Sequence, residues 1–250
     1  MNPICLSQED RIRPHLPRAA ASDDPMLRLL ERMPLLEAAA RPSLRRLAAA
    51  TQVREYPPGA AVFARGSEPT GLFFVVEGGV KLVAMGPDRR SRVVELFEPG
   101  RMFGEIGVFT GQTYRTWTET TATTTLLHVD KTAVLETIAR DHDLTRRMLD
   151  AVTARTQRLI DAIGVASPNT ADVRIAAYLL DLAAPLEHSG EREPRLTLPA
   201  TKGTIASLLN LTQESLSRTL RRMRDAGLIK VAGRRIQICA PLRLRELAGR

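Results

Sequence analysis

Residues 211–223, LTQESLSRTLRRM, combine two kinds of helical face. Leucines and a methionine recur at helical spacing and would bury one face. Glu214, Ser217 and Arg218 follow an i, i+3, i+4 pattern and therefore share a second face. A carboxylate, a hydroxyl and a guanidinium on that face could hydrogen-bond to base edges in a DNA groove. The pattern also fits an ordinary solvent-exposed helix, so the surrounding sequence has to decide.

The charge of the chain is concentrated around and after this segment. The 250 residues carry a net charge of +8 and have a pI near 10.3. From Gln213 to Arg250 there are ten Lys or Arg and three Asp or Glu, so these 38 residues hold nearly all of the net charge. Positive charge concentrated on a segment with a hydrophobic pattern is typical of nucleic-acid binding.

Composition indicates a cytoplasmic globular protein. The apolar fraction is 44%, and no apolar run approaches the roughly 20 residues that a bilayer-spanning helix needs. The first 18 residues have no apolar core, so we predict neither a secretory signal nor a membrane association. Cys5 and Cys239 lie too far apart in sequence to suggest a disulfide framework.

The residue pattern changes three times along the chain. Residues 1–25 indicate a flexible lead-in, and residues 26–50 have a helical period. From 51 to 129, short β-rich runs alternate with turn signals, which predicts a sandwich or barrel. The predicted strands are TQVREY, AAVFAR, GLFFVV, GVKLVAM, RVVELF and TTLLHV.

A long helical segment follows, over residues 130–165. Leu149, Val152, Thr156, Leu159 and Ile163 have 3-4-3-4 spacing, which makes a seam for a partner helix. The partner could be a second copy of the chain or another part of the same domain. The position of the helix between two domains favours a dimer contact.

The last third of the chain predicts a winged helix-turn-helix. Helices are expected over 171–184, near 201–209 and over 212–224, the last one capped by Thr212. The final segment, LIKVAGRRIQICA, contains two apolar strands about a Gly-Arg-Arg turn. Helix, turn, helix and hairpin together favour a DNA-reading role for 212–224.

Three segments together resemble the CRP/FNR family of bacterial transcription regulators. They are GEIGVFTGQTYRT at 104–116, the long helix after it, and LPATKGTIASLLNLTQESLSRTLRRMRDAGLI at 198–229. The resemblance implies an α+β chain with a cyclic-nucleotide-binding-like jelly roll, a long dimerisation helix and a C-terminal winged helix-turn-helix. The implied boundaries are a flexible segment (1–25), a sensor domain (26–135), the dimerisation helix (136–166) and the DNA-binding domain (167–250).

The resemblance also implies how DNA is read. A homodimer would bind a two-fold symmetric site on double-stranded DNA, with RNA polymerase as a further partner. The E-x-x-S-R pattern at 214–218 is similar to the FNR-type branch, which reads TTGAT-like half-sites. Arg218 could pair with guanine and Glu214 with a cytosine amino group. The predicted contact set is Thr212, Gln213, Glu214, Ser217, Arg218, Arg221 and Arg222, with Thr212, Arg221 and Arg222 on phosphates.

The segment at 104–116 resembles the phosphate-binding cassette of cyclic-nucleotide domains. Glu105 would accept a hydrogen bond from a ribose hydroxyl, and Arg115 would pair with the cyclic phosphate. The candidate effector set is Gly104, Glu105, Ile106, Arg115, Thr116 and Leu159. The same glycines and arginine could instead serve turn geometry and packing alone.

The effector stays open between a cyclic nucleotide such as cAMP, haem, another small molecule, or none. Nucleotide-responsive members place hydroxyl residues where this chain has Leu159 and Ile160. The segment RLIDAIGVASPNTADVRIAAYLLDLA resembles the Dnr-type nitric-oxide regulators, which are thought to sense through haem in an apolar pocket. Candidate axial ligands are His15, His128, His142, His188 and Cys5. Two cysteines cannot supply the four ligands of an iron–sulfur cluster, and no metal site is assigned.

Other classes of function have less support. The sequence contains no GxxxxGK[ST], HExxH, paired CxxC or GxSxG motif, so we predict no enzymatic activity. The alternative to a DNA-binding regulator is a nucleotide-binding module that acts through protein partners. The basic C-terminal helix-turn-helix pattern argues against that alternative.

Overall fold

The computed structural model describes residues 24–249, except 87, 167–169 and 189–192. The described residues begin with two short helices, α1 (Pro25–Glu31) and α2 (Arg41–Ala49), where the sequence predicted one helical stretch over 26–50. Each helix has a proline in its first turn, where the missing N–H costs nothing. Residues 32–40 form turns between them. The predicted flexible segment lies almost wholly outside the described residues.

Among the residues that the structure describes, seven strands build the N-terminal domain, in agreement with the predicted β-rich region. The strands are β1 (Thr51–Tyr56), β2 (Gly71–Glu77), β3 (Val80–Met85), β4 (Ser91–Phe97), β5 (Met102–Phe103), β6 (Trp117–Thr120) and β7 (Thr124–Asp130). They form two antiparallel sheets with the orders β1-β7-β2-β5 and β4-β3-β6. Phe73, Val75 and Leu126 of the first sheet share a buried cluster with Val80 and Phe97 of the second.

Two details of the strand prediction were wrong. The run AAVFAR forms no strand, and only Ala61 makes a bridge, to Glu119. In its place the short strands β5 and β6, which lacked a clear alternating pattern, complete the two sheets. Strands of two to four residues are decided by neighbouring strands rather than by their own propensity.

Three helices surround the second half of this domain. They are α3 (Glu105–Thr110), α4 (Lys131–Ile138) and α5 (His142–Ala166). The predicted continuous helix over 130–165 is divided, because Asp130 caps α4 and Asp141 starts α5. Asp141 accepts a hydrogen bond from the Leu144 amide at 2.9 Å.

The C-terminal domain has its own core. Its elements are α6 (Ala171–His188), β8 (Arg195–Thr197), α7 (Lys202–Leu208), α8 (Gln213–Asp225), β9 (Ile229–Ala232), β10 (Arg235–Ile238) and α9 (Pro241–Ala248). The predicted hairpin is β9–β10, and β8 adds a third strand in the order β8-β10-β9. The sequence prediction missed both β8 and α9. Among the described residues, no helix has the length and apolar character that crossing a membrane requires.

Candidate nucleic-acid interface and effector site

The helix α8 has the two faces that its sequence predicted. Leu216, Leu220 and Met223 are buried in the core of the C-terminal domain. Glu214, Ser217 and Arg218 are exposed on the other face. Thr212 caps the helix, and its hydroxyl oxygen accepts a hydrogen bond from the Ser215 amide at 3.1 Å, as predicted. The buried face therefore fixes the helix and leaves the polar face available to a partner.

The polar face of α8 carries an ion pair of its own. The guanidinium of Arg218 donates to the carboxylate of Glu214, one turn earlier. Both side chains are largely exposed, at 66% and 78%. An exposed pair of this kind contributes about 0–1 kcal/mol to stability. Glu214 and Arg218 can therefore separate and bind other partners at a low cost in free energy.

The two arginines next along α8 have different environments. Arg221 is exposed, and no described residue bonds to it. Arg222 donates to both carboxylate oxygens of Asp172 on α6, at 2.6 and 2.7 Å. The sequence grouped these arginines together as phosphate contacts, whereas the structure holds Arg222 against α6.

The turn between α7 and α8 is fixed by a residue that sequence reasoning did not select. Arg174 of α6 donates through Nη1 to the carbonyl oxygens of Leu209, at 2.9 Å, and Asn210, at 3.2 Å. Asn210 has φ 53, a left-handed conformation that asparagine tolerates better than most residues. Arg174 thus satisfies carbonyls at the end of α7 and positions the start of α8.

The cassette segment begins at a tightly packed glycine. Gly104 has φ 94, and a Cβ atom there would lie 3.0 Å from the Gly71 carbonyl oxygen and 3.2 Å from the Phe73 ring. Only glycine fits such a position without strain. The turn places Glu105 at the start of α3, with 3% of its surface exposed.

The partner of Glu105 is Arg155 of the long helix α5. The Arg155 guanidinium pairs with Glu105 and also donates through Nε to Glu95 Oε2 of β4 at 2.6 Å. The guanidinium carbon lies 5.0 Å from the centre of the Phe97 ring, within the range of a cation–π contact. Arg155 had no place in the sequence prediction, because nothing in a helical pattern shows which carboxylate an arginine faces.

The other predicted effector residues are more exposed than Glu105. Arg115 is exposed, and no described residue pairs with it. Ile106 is 63% exposed, and its place in the candidate set stays a prediction. Thr116 and Leu159 are half-buried, whereas Ile160 is exposed.

Two polar atoms in the cassette are buried without a hydrogen-bond partner. They are Glu105 Oε2 and Tyr114 Oη. Burial raises the pKa of Glu105, outweighing the opposite effect of the Arg155 charge. Burial and then the Glu105 charge raise the pKa of Tyr114 to about 12. Unsatisfied buried atoms are rare in folded proteins, so these two oxygens retain hydrogen-bonding capacity that the described residues do not use.

The histidine candidates for haem have different environments in the structure. His128 is buried, and its Nε2 lies 3.0 Å from the Thr70 hydroxyl. Burial, and then the Arg54 charge, lower its pKa to about 4. His142 is exposed, whereas His15, Cys5 and the side chain of His188 lie outside the described residues. No described cluster of three or more His, Cys, Asp or Glu could hold a metal ion.

Within the described part of the chain, the predicted dimer seam on α5 is partly open. Leu149 is 64% exposed, and Thr156 is exposed as well. Val152 and Leu159 are half-buried, and the side chain of Ile163 lies outside the described residues. An apolar helical face left open in this way is a feature of interaction surfaces.

These features define a class of protein: an effector-type β domain joined to a basic helix-turn-helix domain. Residues 53–141 match the cyclic nucleotide-binding domain family, and residues 173–247 match the Crp-like helix-turn-helix domain family. The first match lies in the β-rich N-terminal domain and the second in the C-terminal domain.

Similar proteins match this chain over most of their length. The nitrogen fixation regulation protein FixK of Rhizobium meliloti is 31% identical over 196 residues, 78% of this chain and 86% of that protein. The CRP-like cAMP-activated global transcriptional regulator of Mycobacterium tuberculosis is 28% identical over 199 residues, 78% of this chain and 87% of that protein. The structure of FixK2 from Bradyrhizobium japonicum has a TM-score of 0.70 at 22% identity, covering 79% of this chain and 96% of that one.

The chain belongs to the CRP/FNR family of transcription regulators, as its sequence predicted. It has a cyclic-nucleotide-binding domain and a helix-turn-helix DNA-binding domain, and it is a regulator of transcription. The relatives named above are transcription regulators rather than enzymes, in agreement with the lack of catalytic motifs.

Proposed function

We propose that this regulator is a homodimer that reads two-fold symmetric, FNR-type DNA sites through α8. A small-molecule effector bound beneath α5, at the Glu105 cassette, sets its DNA-binding form. The observation that carries the proposal is the exposed polar face of α8, held in place by a fully buried apolar face.

The chemistry of that face favours base reading over phosphate binding alone. Arg218 can form two parallel hydrogen bonds to O6 and N7 of guanine, and Glu214 can accept from a cytosine N4 amino group. Ser217, between them on the same face, can donate or accept. Thr212, Gln213 and Arg221 are exposed near the start or flank of α8 and would contact phosphates. This arrangement supports the FNR-type half-site that the E-x-x-S-R resemblance implies.

The open seam of α5 supports the homodimer. Leu149 and Val152 begin a stripe that continues through Thr156 and Leu159, and a second copy would cover the same stripe on both chains. A two-fold axis along α5 would place two α8 helices on successive major grooves, one helical turn of DNA apart. RNA polymerase is the further partner that a regulator of this class would contact on the promoter.

The cassette favours a cyclic nucleotide over haem as effector. The free oxygen of Glu105 can accept a hydrogen bond from a ribose hydroxyl, and the exposed Arg115 carries the charge for a phosphate. The relative in Mycobacterium tuberculosis is described as cAMP-activated. Of the haem-ligand candidates within the described residues, His142 is exposed, and His128 is buried with its Nε2 already in contact with the Thr70 hydroxyl.

Fluorescence anisotropy with labelled duplexes tests the DNA-reading function. A palindrome of two TTGAT half-sites is compared with the same duplex carrying transversions at the guanines, across several salt concentrations. We expect specific binding at least about tenfold tighter than binding to the altered duplex, with a steep salt dependence. Equal affinity for both duplexes would reject FNR-type reading and favour the alternative, a module that acts through protein partners.

Calorimetry tests the effector separately from the DNA. Cyclic AMP is titrated into the wild-type protein and into Glu105→Gln and Glu193→Gln, the latter being an exposed control in the C-terminal domain. Binding heat in the wild type and the control, but not in Glu105→Gln, is the expected outcome. Absence of heat in all three, together with a Soret band after adding haem, would replace the nucleotide by haem.

A further inference from the structure

The strand β4 lies at an edge of its sheet and borders the DNA-binding domain. Its sheet has the order β4-β3-β6, so β4 has one strand neighbour. On its other edge, the Val93 amide donates to the hydroxyl oxygen of Ser207, on α7, at 3.0 Å. Open strand edges need a cover in folded proteins, and here a residue of the helix-turn-helix supplies part of it.

A second contact joins β4 to the turn before α8. The guanidinium of Arg92 donates through Nη1 to Asn210 Oδ1 at 3.0 Å and through Nη2 to Asp88 Oδ2 at 3.0 Å. Asp88 thus holds the arginine in the orientation that reaches the turn. Leu96, further along the strand, packs against the core of the C-terminal domain. The strand therefore touches both α7 and the turn that positions the DNA-reading helix.

The same strand carries Glu95, which faces the effector cassette. Glu95 accepts from Arg155, whose guanidinium also pairs with Glu105. A bulge separates the two sets of contacts: Val83 pairs with Val93, Leu82 pairs with Glu95, and Val94 is left without a partner. A bulge bends its strand and redirects the side chains on either side. The two halves of β4 can therefore face different partners.

We infer that β4 is the strand that couples the Glu105–Arg155 site to the helix-turn-helix, and this inference rests on the proposed effector function. A ligand that hydrogen-bonds to Glu105 competes with Arg155 for the Glu105 carboxylate. The Arg155 guanidinium then changes its hydrogen bond to Glu95. Glu95 is two residues from Val93 on the same strand, so a displacement of Glu95 passes along the backbone, through the bulge at Val94, to Val93. The movement of β4 is transmitted to Ser207 and Asn210, which it contacts, and it thereby changes the orientation of α8.

A double-mutant cycle on DNA affinity tests the coupling. The variants are Glu95→Gln, Ser207→Ala and the double substitution, with Ser91→Ala as the matched control. Ser91 lies on the same strand, and its exposed hydroxyl bonds to no described residue. If β4 couples the sites, the double variant departs from the product of the single effects by about threefold or more. Independent effects, with the control also neutral, would overturn the inference.

Hydrogen exchange gives a readout that does not depend on DNA. Glu95 bonds to arginines of the N-terminal domain and α5, not to α7. We nevertheless expect Glu95→Gln to speed amide exchange across residues 202–211 by several-fold, as Ser207→Ala does directly. Exchange altered only around β4 and α5 would reject the strand as the link. Loss of site-specific DNA binding by the wild type would reject the proposed function, while the exchange result would still decide the link.

Discussion

Two pairs of glutamate and arginine occupy the two functional regions, and their surroundings differ completely. Glu214 and Arg218 lie on the surface of α8, with 78% and 66% of their side chains exposed. Glu105 and Arg155 lie between the β domain and α5, where 3% and 11% are exposed. On α8, water thus competes for the hydrogen bonds of the glutamate–arginine pair. Little water reaches the same kind of pair at the cassette.

The difference determines what each pair can do. A surface pair costs little to open, so Arg218 can leave Glu214 for a guanine without a large loss of stability. A buried pair is different, because losing one member leaves an uncompensated charge away from water. The Glu214–Arg218 pair is therefore suited to exchanging its partners for DNA bases. The Glu105–Arg155 pair is suited to holding α5 in place until a ligand replaces part of the interaction.

The largest expected effect is on the stability of the buried pair. Arg155→Met leaves Glu105 and Glu95 without their shared cation and should lower the free energy of unfolding by about 3–5 kcal/mol in urea denaturation. Arg146→Met, at an exposed position of the same helix, is the control and should change little. Adding Glu105→Gln to Arg155→Met should recover part of the loss, since the buried charge is then removed. If Arg155→Met lowered the free energy of unfolding by less than about 1 kcal/mol, the buried pair would not differ in stability from the exposed Glu214–Arg218 pair.

A second buried group should make stability depend on pH. His128 has a pKa lowered to about 4 by burial, so the unfolded chain binds its proton first as pH falls. Its contribution is complete above about 6.5 and is lost between there and about 4, by roughly 2–3 kcal/mol. His128→Gln should flatten the stability profile in this window, and the exposed His142→Gln should leave it unchanged. An identical profile in both variants would contradict the burial argument.

The exposed pair should matter for DNA rather than for folding. Arg218→Ala should weaken binding at the matched guanine by about 1–3 kcal/mol and relax the preference there, measured by anisotropy on base-substituted duplexes. Arg221→Ala should weaken binding to all duplexes alike and reduce the salt slope by about one. If Arg218→Ala weakened random and specific DNA equally, Arg218 would be a phosphate contact.

The open face of α5 predicts an association that a single charge can disrupt. Leu149→Arg places a cation in the seam and should raise the dimer dissociation constant at least about tenfold in sedimentation equilibrium. Ala154→Arg introduces the same charge on the opposite, exposed face of α5 and should leave the constant unchanged. Equal shifts in both variants would mean that the stripe from Leu149 is not the interface.

The smallest effect is expected from opening the surface pair. Glu214→Ala should change the free energy of unfolding by less than about 1 kcal/mol, because an exposed pair at i, i+4 contributes little. Thermal denaturation at low and high salt would measure it. A loss comparable to that of Arg155→Met would mean that the two pairs are equivalent after all.

Local patterns predicted those parts of the fold that depend on one segment. The buried stripe of α8, its cap at Thr212 and most strands followed from period and turn residues. The division of the predicted helix at Asp141 and the short strands β5 and β6 did not, because they depend on caps and neighbours outside the local pattern. The DNA-contact residues and the dimer seam remain predictions for the experiments above.

The sequence by itself determined the family, the order of the two domains and the polar face of α8, because each resides in contiguous residues and their spacing. Only the tertiary structure decided which charges from distant parts of the chain meet. Arg155 lies 50 residues from Glu105 and 60 from Glu95, and Ser207 lies 114 from Val93. Such pairings follow from how sheets and helices pack, and helical or strand periodicity contains no record of a partner that far along the chain.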